Sequence, residues 1–545
     1  MKTLSLVYFF SISVLVLFSC KKGSDPAPQP VPPTAVSFSL NAFTINNTYS
    51  GFTYYGINKI PVLKFSFFAP LNRASVPASV SLATKSGTNI SFTSSFERGD
   101  STLVIQPSAP LAYLSKYIVS ISTALKSLAG GNLQTRIDVN FSTGIDSSRK
   151  FPPLTDNELL DLVQKQTFKY FWDFGHPVSG LARERNTSGE TVTSGGSGFG
   201  IMSIVTAVSR NFITRTQGFT RMQTIVAFLK NTAQTFHGAY PHWLNGTNGQ
   251  VIPFSAQDNG ADLVETSYLI QGLLTARQYF SDAGAAETTL RNDINVIADR
   301  VEWDWFRNGG QNVLYWHWSP NFNWAMNFPV RGWNEALITY VMAASSTTHS
   351  IPQGVYTSGW KNSNSFLNGN TYYGYVLPLG PVLGGPLFFE HYSFLGMKPT
   401  GLSDPSANYA TQTTNHTLIN YSYCRANPNH FYGYSDSVWG LTASDIENGY
   451  TASSPTNDRG YIAPTAALSS FPYTPAQSMA ALRFYYFVLG DKIWKDYGFT
   501  DAFSLHDIWF ADSYLAIDQG PIICMIENYR SGLLWNLFTS CPEVK

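Results

Sequence analysis

The sequence predicts a mainly α protein: a large helical toroid preceded by a small all-β sandwich. Three observations carry that expectation. Between residues 34 and 148, short runs of alternating apolar and polar residues recur at roughly ten-residue intervals, broken by turn residues. Near residue 150 the apolar period lengthens from two to 3.6. From there to Lys545, helical patterns of about ten to twenty residues alternate with long Gly-, Asn- and Trp-rich loops. No short internal repeat is visible, which argues against a solenoid. Paired helices closing a ring account for this length, with about a dozen helices.

The 545 residues are 44% hydrophobic and only 13% charged, against a usual ~25%. Such a chain packs a large core under a weakly charged surface. Its 35 basic and 35 acidic residues cancel, so bulk charge attracts neither nucleic acid nor an anionic membrane. Aromatic residues reach 15%, with 13 Trp and 30 Tyr. They either fill a large core or line a groove whose flat ring faces suit sugars; composition leaves both readings open.

In chain order, Met1-Lys2 precedes LSLVYFFSISVLVLFSC, an apolar run with a small residue before Cys20. A short cationic end and about fifteen apolar residues make an export signal over 1–19, since a spanning helix needs ~20. LFSC at Leu17–Cys20 resembles a bacterial lipobox, with Phe18 bulkier than the usual residue. The resemblance implies cleavage before Cys20, lipidation of that cysteine and membrane attachment. The product would be an exported lipoprotein: periplasmic, outer-membrane attached or at the cell surface. An ordinary cleaved signal with a chance cysteine is the alternative. Residues 20–33 are Pro-rich and polar, a semi-extended tether. Cys424, Cys524 and Cys541 allow at most one internal bridge, and Cys524 in PIICMIENY is expected to be a buried thiol.

The runs PVLKFSFFAPL, ASVSLAT, NISFTSSFE, STLVIQPS, KYIVSIST and RIDVNFST supply the sandwich strands. The segment 34–148 resembles a bacterial Ig-like domain; it holds no charged cluster and reads as a spacer before it reads as a binding module. In LTDNELL, Thr155 and Glu158 form a capping box that opens the helical domain, 149–545. Further helices are expected at GFGIMSIVTAVSR, QDNGADLVETSYLIQGLLTARQYF, RGWNEALITYVMAASS, TPAQSMAALRFYYFVLGDKIWKDYG and GPIICMIENYRSGLLWNLFTSC. SGGSGFG, Ser194–Gly200, lacks a lysine and follows no strand signal, so it is no phosphate loop; a tight turn into the helices is expected there.

The helix expected over 257–280 sets Asp258, Asp262 and Glu265 at spacings of four and three, on one side, roughly 5–6 Å apart between Cβ atoms. No Lys or Arg follows until Arg277. Capping and the helix dipole explain Asp258 well, Asp262 in part and Glu265 poorly. Crowded carboxylates raise one another's pKa. Glycoside hydrolysis uses such a proton donor beside an ionised carboxylate. Two carboxylates one turn apart approach a sugar from the same side, so a partner must come from elsewhere. Glu335 in PVRGWNEALITY, where a Trp-rich loop enters a helix, is the candidate; a dipole role is its alternative. The expected catalytic set is Asp258, Asp262, Glu265 and Glu335.

Around it, YPHWLNG, LYWHWSPNFNWAMNFP, RGWNE and FFEHYSF offer His242, Trp243, Trp316, His317, Trp318, Trp333, Glu390 and His391 as substrate-binding residues. Rings would stack on sugars and polar groups would bind hydroxyls; core packing is the other reading. No H-E-x-x-H or similar pair appears, so no metal is expected. No G-x-S-x-G elbow appears either. A polysaccharide lyase would need basic residues to hold an acidic sugar, and only Arg183, Arg185 and Arg331 lie near these motifs.

GFGIMSIVTAV, YPHWLNG, DNGADLVETSYLIQGLL, RGWNEALITYV, GGPLFFEHYSFLG, SPTNDRGYIAPTAALSSFPYTP and FADSYLAIDQGPIICMIENYRSGLLWNLF run from about Phe151 to Val544. Together they resemble the glucoamylase-like domain that includes glycoside hydrolase family 144. That family's β-1,2-glucan hydrolases have an (α/α)6 barrel. The resemblance implies this fold, an inverting hydrolase of a neutral β-glucan, foremost β-1,2-glucan, and no cofactor. It places acidic site residues at Asp258, Asp262, Glu265 and Glu335, with Glu335 and Asp262 as acid and base in either order. The expected enzyme is endo-β-1,2-glucanase-like. An exo-acting, disaccharide-releasing hydrolase and a non-catalytic glycan-binding lipoprotein are the alternatives.

Overall fold

The computed structural model describes residues 35–545. The export signal, Cys20 and the tether expected before them lie outside the described residues. Eight strands follow: β1 (Leu40–Ile45), β2 (Thr53–Ile57), β3 (Leu63–Phe67), β4 (Val80–Thr84), β5 (Phe92–Glu97), β6 (Thr102–Pro107), β7 (Lys116–Ile121) and β8 (Ile137–Thr143). They form two four-stranded sheets, ordered β1-β3-β6-β5 and β2-β8-β7-β4. In β3, Leu63, Phe65 and Phe67 are buried while Lys64 and Ser66 are only partly so, the alternation a half-buried strand requires. Six of the eight strands are those the alternating runs predict. β2 escapes sequence detection because Gly56 interrupts it and its parallel pairing with β8 slips register between Tyr54 and Ile57.

The helical part contains ten helices of seven residues or more: α1 (Asp156–Trp172), α2 (Ser194–Ser209), α3 (Arg215–Asn231), α4 (Leu263–Tyr279), α5 (Ala285–Asp299), α6 (Leu337–Ser345), α7 (Tyr409–Ala426), α8 (Pro475–Phe487), α9 (Ala516–Arg530) and α10 (Leu533–Thr539). The predicted cap of α1 forms reciprocally: Glu158 N–H donates to Thr155 Oγ1 at 3.3 Å, and Thr155 N–H donates to Glu158 Oε2 at 2.8 Å.

Burial separates two rings. Helices α2, α4 and α9 are enclosed on nearly every side, with α4 and α9 both packed on α2. Helix α5 buries only the stripe Leu290, Ile294 and Ile297, as an outer helix should. The chain alternates outer with inner through α1–α2, α3–α4 and α5–α6. It continues through the π-helical turn Val355–Trp360 paired with 3-10 turns between Leu387 and Phe394, then α7 with Pro464–Leu468, and α8 with α9. Six pairs make the (α/α)6 toroid.

Several boundaries differ from the periodicity reading. Helix α4 starts at Leu263, not near 257, because Asp262 caps it in extended conformation. SGGSGFG is no turn but the first two turns of α2. Its glycines answer to close packing: a Cβ on Gly198 would lie 2.2 Å from Tyr268 O, and one on Gly272 2.3 Å from Gly198 O. The last expected helix is two, α9 and α10, split at Gly532 with φ +70°. Helix α8 ends at Phe487, and Trp494–Lys495 pairs with Gly498–Phe499 instead of extending it. Cys424, Cys524 and Cys541 are buried free thiols.

Candidate active site

The carboxylates converge without sharing one helix face. Asp262 is the N-cap of α4: its Oδ1 accepts the Glu265 N–H at 2.9 Å. Its own N–H donates to Tyr240 O, and the next N–H, of Leu263, to Trp316 O. Asp258 lies upstream in a loop, folded inward and 4% exposed. The two-residue strands Ala261–Asp262 and His317–Trp318 pair antiparallel, with Asp262 opposite His317. That register brings His317 Nδ1 to 3.4 Å from Asp258 Oδ1 and 3.8 Å from Asp262 Oδ2. From another wall, Trp243–Asn245 pairs with Thr191–Thr193. This holds His242, whose Nδ1 is 3.0 Å from Asp262 Oδ2.

The counter-charges absent from the local sequence are therefore histidines. Burial alone would depress the His242 pKa; Glu265, Asp262 and Asp258 outweigh it and push it up to about 9. Burial likewise opposes protonation of His317, and Asp258 and Asp262 overcome it, raising its pKa. Burial would raise Asp262, but the His242 bond and the His317 charge hold it below the usual carboxylate range. Asp262 is thus an ionised group with 0% exposure. Solvent does not reach it in this structure. Its work is to cap α4 and hold His242.

Glu265 has the opposite character. It sits in the first turn of α4 and its Oε2 accepts the Gly195 N–H at 2.9 Å. Burial raises its pKa, His242 pulls it back, Asp262 pushes again, and the result is about 7. Glu335 also rises to about 7, by burial and then by Glu265 and Asp262, with no cation among the groups acting on it. Its backbone carbonyl accepts from Tyr268 Oη at 3.2 Å and Ser393 Oγ at 2.5 Å. Glu335 thus feels the charge of Glu265, and the two come from different inner segments.

Glu265 and His242 line a cleft of about 360 Å³ with Trp243, Phe254, Glu184, Arg185, Tyr450 and Ile517. Phe254 is 50% exposed and Tyr450 48%, so both present ring surface. Trp243 packs on Phe254 at 4.8 Å between ring centroids. Trp316 is partly buried and stacks along His317. Trp318 is packed against Trp305 at 5.4 Å. Trp333, Glu390 and His391 are buried, which corrects their expected role as sugar contacts. Trp333 Nε1–H donates to Glu390 Oε1 at 2.8 Å, and His391 Nε2 lies 3.0 Å from Ser470 Oγ. Burial and then the neighbouring His416 depress the His391 pKa to about 3, so it is neutral.

A second acidic group escaped the sequence reading. Asp518 opens α9 beside the cleft residue Ile517, and Asp501 lies against it. Burial, then Asp501 and Asp445, raise Asp518 well above its ordinary value; burial lifts Asp501 to about 7. Asp445 N–H donates to Asp501 Oδ2 at 2.6 Å, and Arg185 Nη1 reaches Asp445 Oδ2 at 3.3 Å. Asp445 is 56 positions from Asp501 and 260 from Arg185, and the only sequence signal of this group was Asp518 within LAIDQGP.

His242, Asp258 and Asp262 also offer atoms within 4.8 Å of one another, a spacing that could hold a cation. Here the imidazole nitrogen facing Asp262 is engaged in a hydrogen bond, and imidazolium charge already meets the carboxylates.

Comparison with known proteins bears on the family and the fold. The family model "Putative glucoamylase" matches residues 327–542, and a bacterial Ig-like domain model matches 41–143. An endo-β-1,2-glucanase from Chitinophaga pinensis, solved with sophorotriose and glucose, is 51% identical, with a TM-score of 0.70 over 72% of this chain and 97% of that one. A β-1,2-glucanase from Parabacteroides distasonis is 35% identical, TM-score 0.70, over 95% of this chain and 73% of that one. A curated exo-β-1,2-glucooligosaccharide sophorohydrolase (non-reducing end) from Parabacteroides distasonis is 45% identical over 416 residues. The match spans 72% of this chain and 57% of that relative's length. With nearly the full length of a glucanase matched at that identity, and an (α/α)6 toroid, the chain belongs to the glucoamylase-like family that includes the β-1,2-glucanases of glycoside hydrolase family 144.

Proposed function

We propose that the chain is an exported, lipid-anchored glycoside hydrolase that cleaves β-1,2-glucan internally, with inversion and without a cofactor. The observation that carries the chemistry is the Glu265–Glu335 pair, both near 7 yet differently surrounded. Glu265 has the Gly195 N–H and the His242 charge to stabilise its carboxylate. Glu335 has no cation among the groups acting on it, the surroundings that suit a protonated acid. Glu335 is therefore the acid, protonating the leaving glycosidic oxygen directly or through a substrate hydroxyl. Glu265 takes the proton of a water that attacks the anomeric carbon from the opposite face. Trp243, Phe254 and Tyr450 supply ring surface for glucose units.

The linkage rests on the relatives, and the endo assignment on the near-complete match to the Chitinophaga pinensis enzyme against the partial match to the sophorohydrolase. The anchor rests on LFSC at Leu17–Cys20. Product analysis on linear β-1,2-glucan tests the reading, beside Glu335→Gln and Glu265→Gln. A ladder of oligosaccharides of inverted configuration, lost in both folded variants, is expected. Disaccharide alone from the first minute would make the enzyme exo-acting. No product from this or any other neutral glucan would leave a glycan-binding protein. Cys20→Ala should move the protein out of the membrane fraction.

A further inference from the structure

We infer that the buried Glu390–His416 pair is a positioning device for Glu335, acting through the indole N–H of Trp333. Three donors converge on one oxygen of Glu390. Trp333 Nε1–H reaches Oε1 at 2.8 Å, Gln412 Nε2–H at 2.9 Å, and His416 Nδ1 lies at 2.7 Å. The far side of the imidazole is fixed as well, with His416 Nε2 3.1 Å from Gly385 O. Both side chains of the pair are 0% exposed. Placing two ionisable groups there carries a desolvation cost that packing alone would not demand. The arrangement needs a purpose that an apolar core would not serve.

That purpose follows from what Trp333 carries. It lies two residues before Glu335 in a short loop held by few other hydrogen bonds. Gly332 N–H donates to Trp360 O at 2.8 Å, and Ala336 N–H to Asn334 Oδ1 at 2.9 Å. The Glu335 carbonyl is held by the Ser393 and Tyr268 hydroxyls, but no hydrogen bond to another side chain fixes its carboxyl. The rotation of the 332–335 turn about those clamps is set by where the indole points; Trp360, Phe394 and Tyr409 pack its ring, and Glu390 fixes its N–H direction. Ser393 and Glu390 lie in consecutive 3-10 turns of one inner segment, so a single element grips the loop at its carbonyl and at its ring. Glu390, His416 and Trp333 touch no substrate in this scheme.

The inference rests on Glu335 being catalytic, and the test separates the two. Trp333→Phe keeps the ring and removes only the N–H. On β-1,2-glucan it should lower kcat roughly 10- to 100-fold, with KM within about twofold, because misplacing a reacting group by about an ångström costs that much. Glu390→Gln keeps an oxygen acceptor for the indole and should retain clearly more kcat than Glu390→Leu. Glu335→Gln is measured alongside. If Glu335→Gln keeps wild-type kcat, the catalytic reading fails. If Glu335→Gln is inactive while Trp333→Phe keeps wild-type kcat, or loses only KM, the catalytic reading stands and the positioning role is overturned. Equal losses in Glu390→Gln and Glu390→Leu would overturn it too.

Discussion

Replacing Glu335 by Gln should stabilise the protein, and more so as pH rises. The folded structure lifts this carboxyl from 4.5 to about 7, by burial first and by Glu265 and Asp262 next. In the unfolded chain it ionises near its ordinary value. Between those two values the native state holds a proton that the unfolded state has released, so stability falls as pH rises through the window. At about 1.4 kcal/mol per pH unit, the full cost of ionising Glu335 in place is about 3 kcal/mol. Roughly 1 kcal/mol of it is present at pH 5, and nearly all at pH 9. A neutral Gln carries none of it. Any fixed gain or loss from the amide cancels when the difference between mutant and wild type is followed across pH. Urea unfolding of both proteins at pH 5, 7 and 9 should show the stability difference growing by about 2 to 3 kcal/mol from the lowest to the highest pH. A difference that stays flat would mean Glu335 ionises normally in the fold, and the case for it as the proton donor would go with it.

Gly195→Ala would place a Cβ 2.2 Å from Glu265 Oε2 and 2.8 Å from its Cδ, so the carboxylate must leave its amide. We expect kcat to fall about 100-fold, while a helix-propensity gain of up to ~1 kcal/mol offsets part of the strain and the thermal transition persists. His242→Gln removes the cation that most opposes the burial of Glu265. The acidic limb of the kcat/KM profile should then move up by about one pH unit or more; an unmoved limb would assign it to another group.

The fold was legible wherever local periodicity or capping chemistry set it. Thr155 and Glu158 marked the start of α1, and period-two runs marked six strands. The toroid's inner ring was legible only in part. At Leu387–Phe394 and Pro464–Leu468 it is built from 3-10 turns and a five-residue helix, too short to show a period. The site showed the same division. Asp258, Asp262, Glu265 and Glu335 stood out as chemistry-bearing residues, and all four lie at one site. Their individual roles depended on burial, which the spacing of carboxylates does not encode. Asp262 and Glu265 are three residues apart, yet one is held ionised in the dark of a cap while the other borders the cleft. Trp333, Glu390 and His391 looked like sugar contacts because ring-and-polar motifs serve binding and core networks alike.

The choice of histidine as the counter-charge bears on the same problem. A lysine or arginine beside Asp258, Asp262 and Glu265 would neutralise all three at every working pH and fix Glu265 as a permanent anion. Histidines brought by two separate strands do something narrower. His242 bonds Asp262 directly and reaches Glu265 only through its field, so it stabilises one carboxylate fully and the other in part. Its own protonation depends on those carboxylates, with burial working against it. The network therefore leaves Glu265 titrating near neutrality, where a base can both take a proton and give it up. It also keeps the cleft free of a strong fixed cation beyond Arg185, which Asp445 and Glu184 already engage. A site built this way suits a substrate that brings no charge of its own.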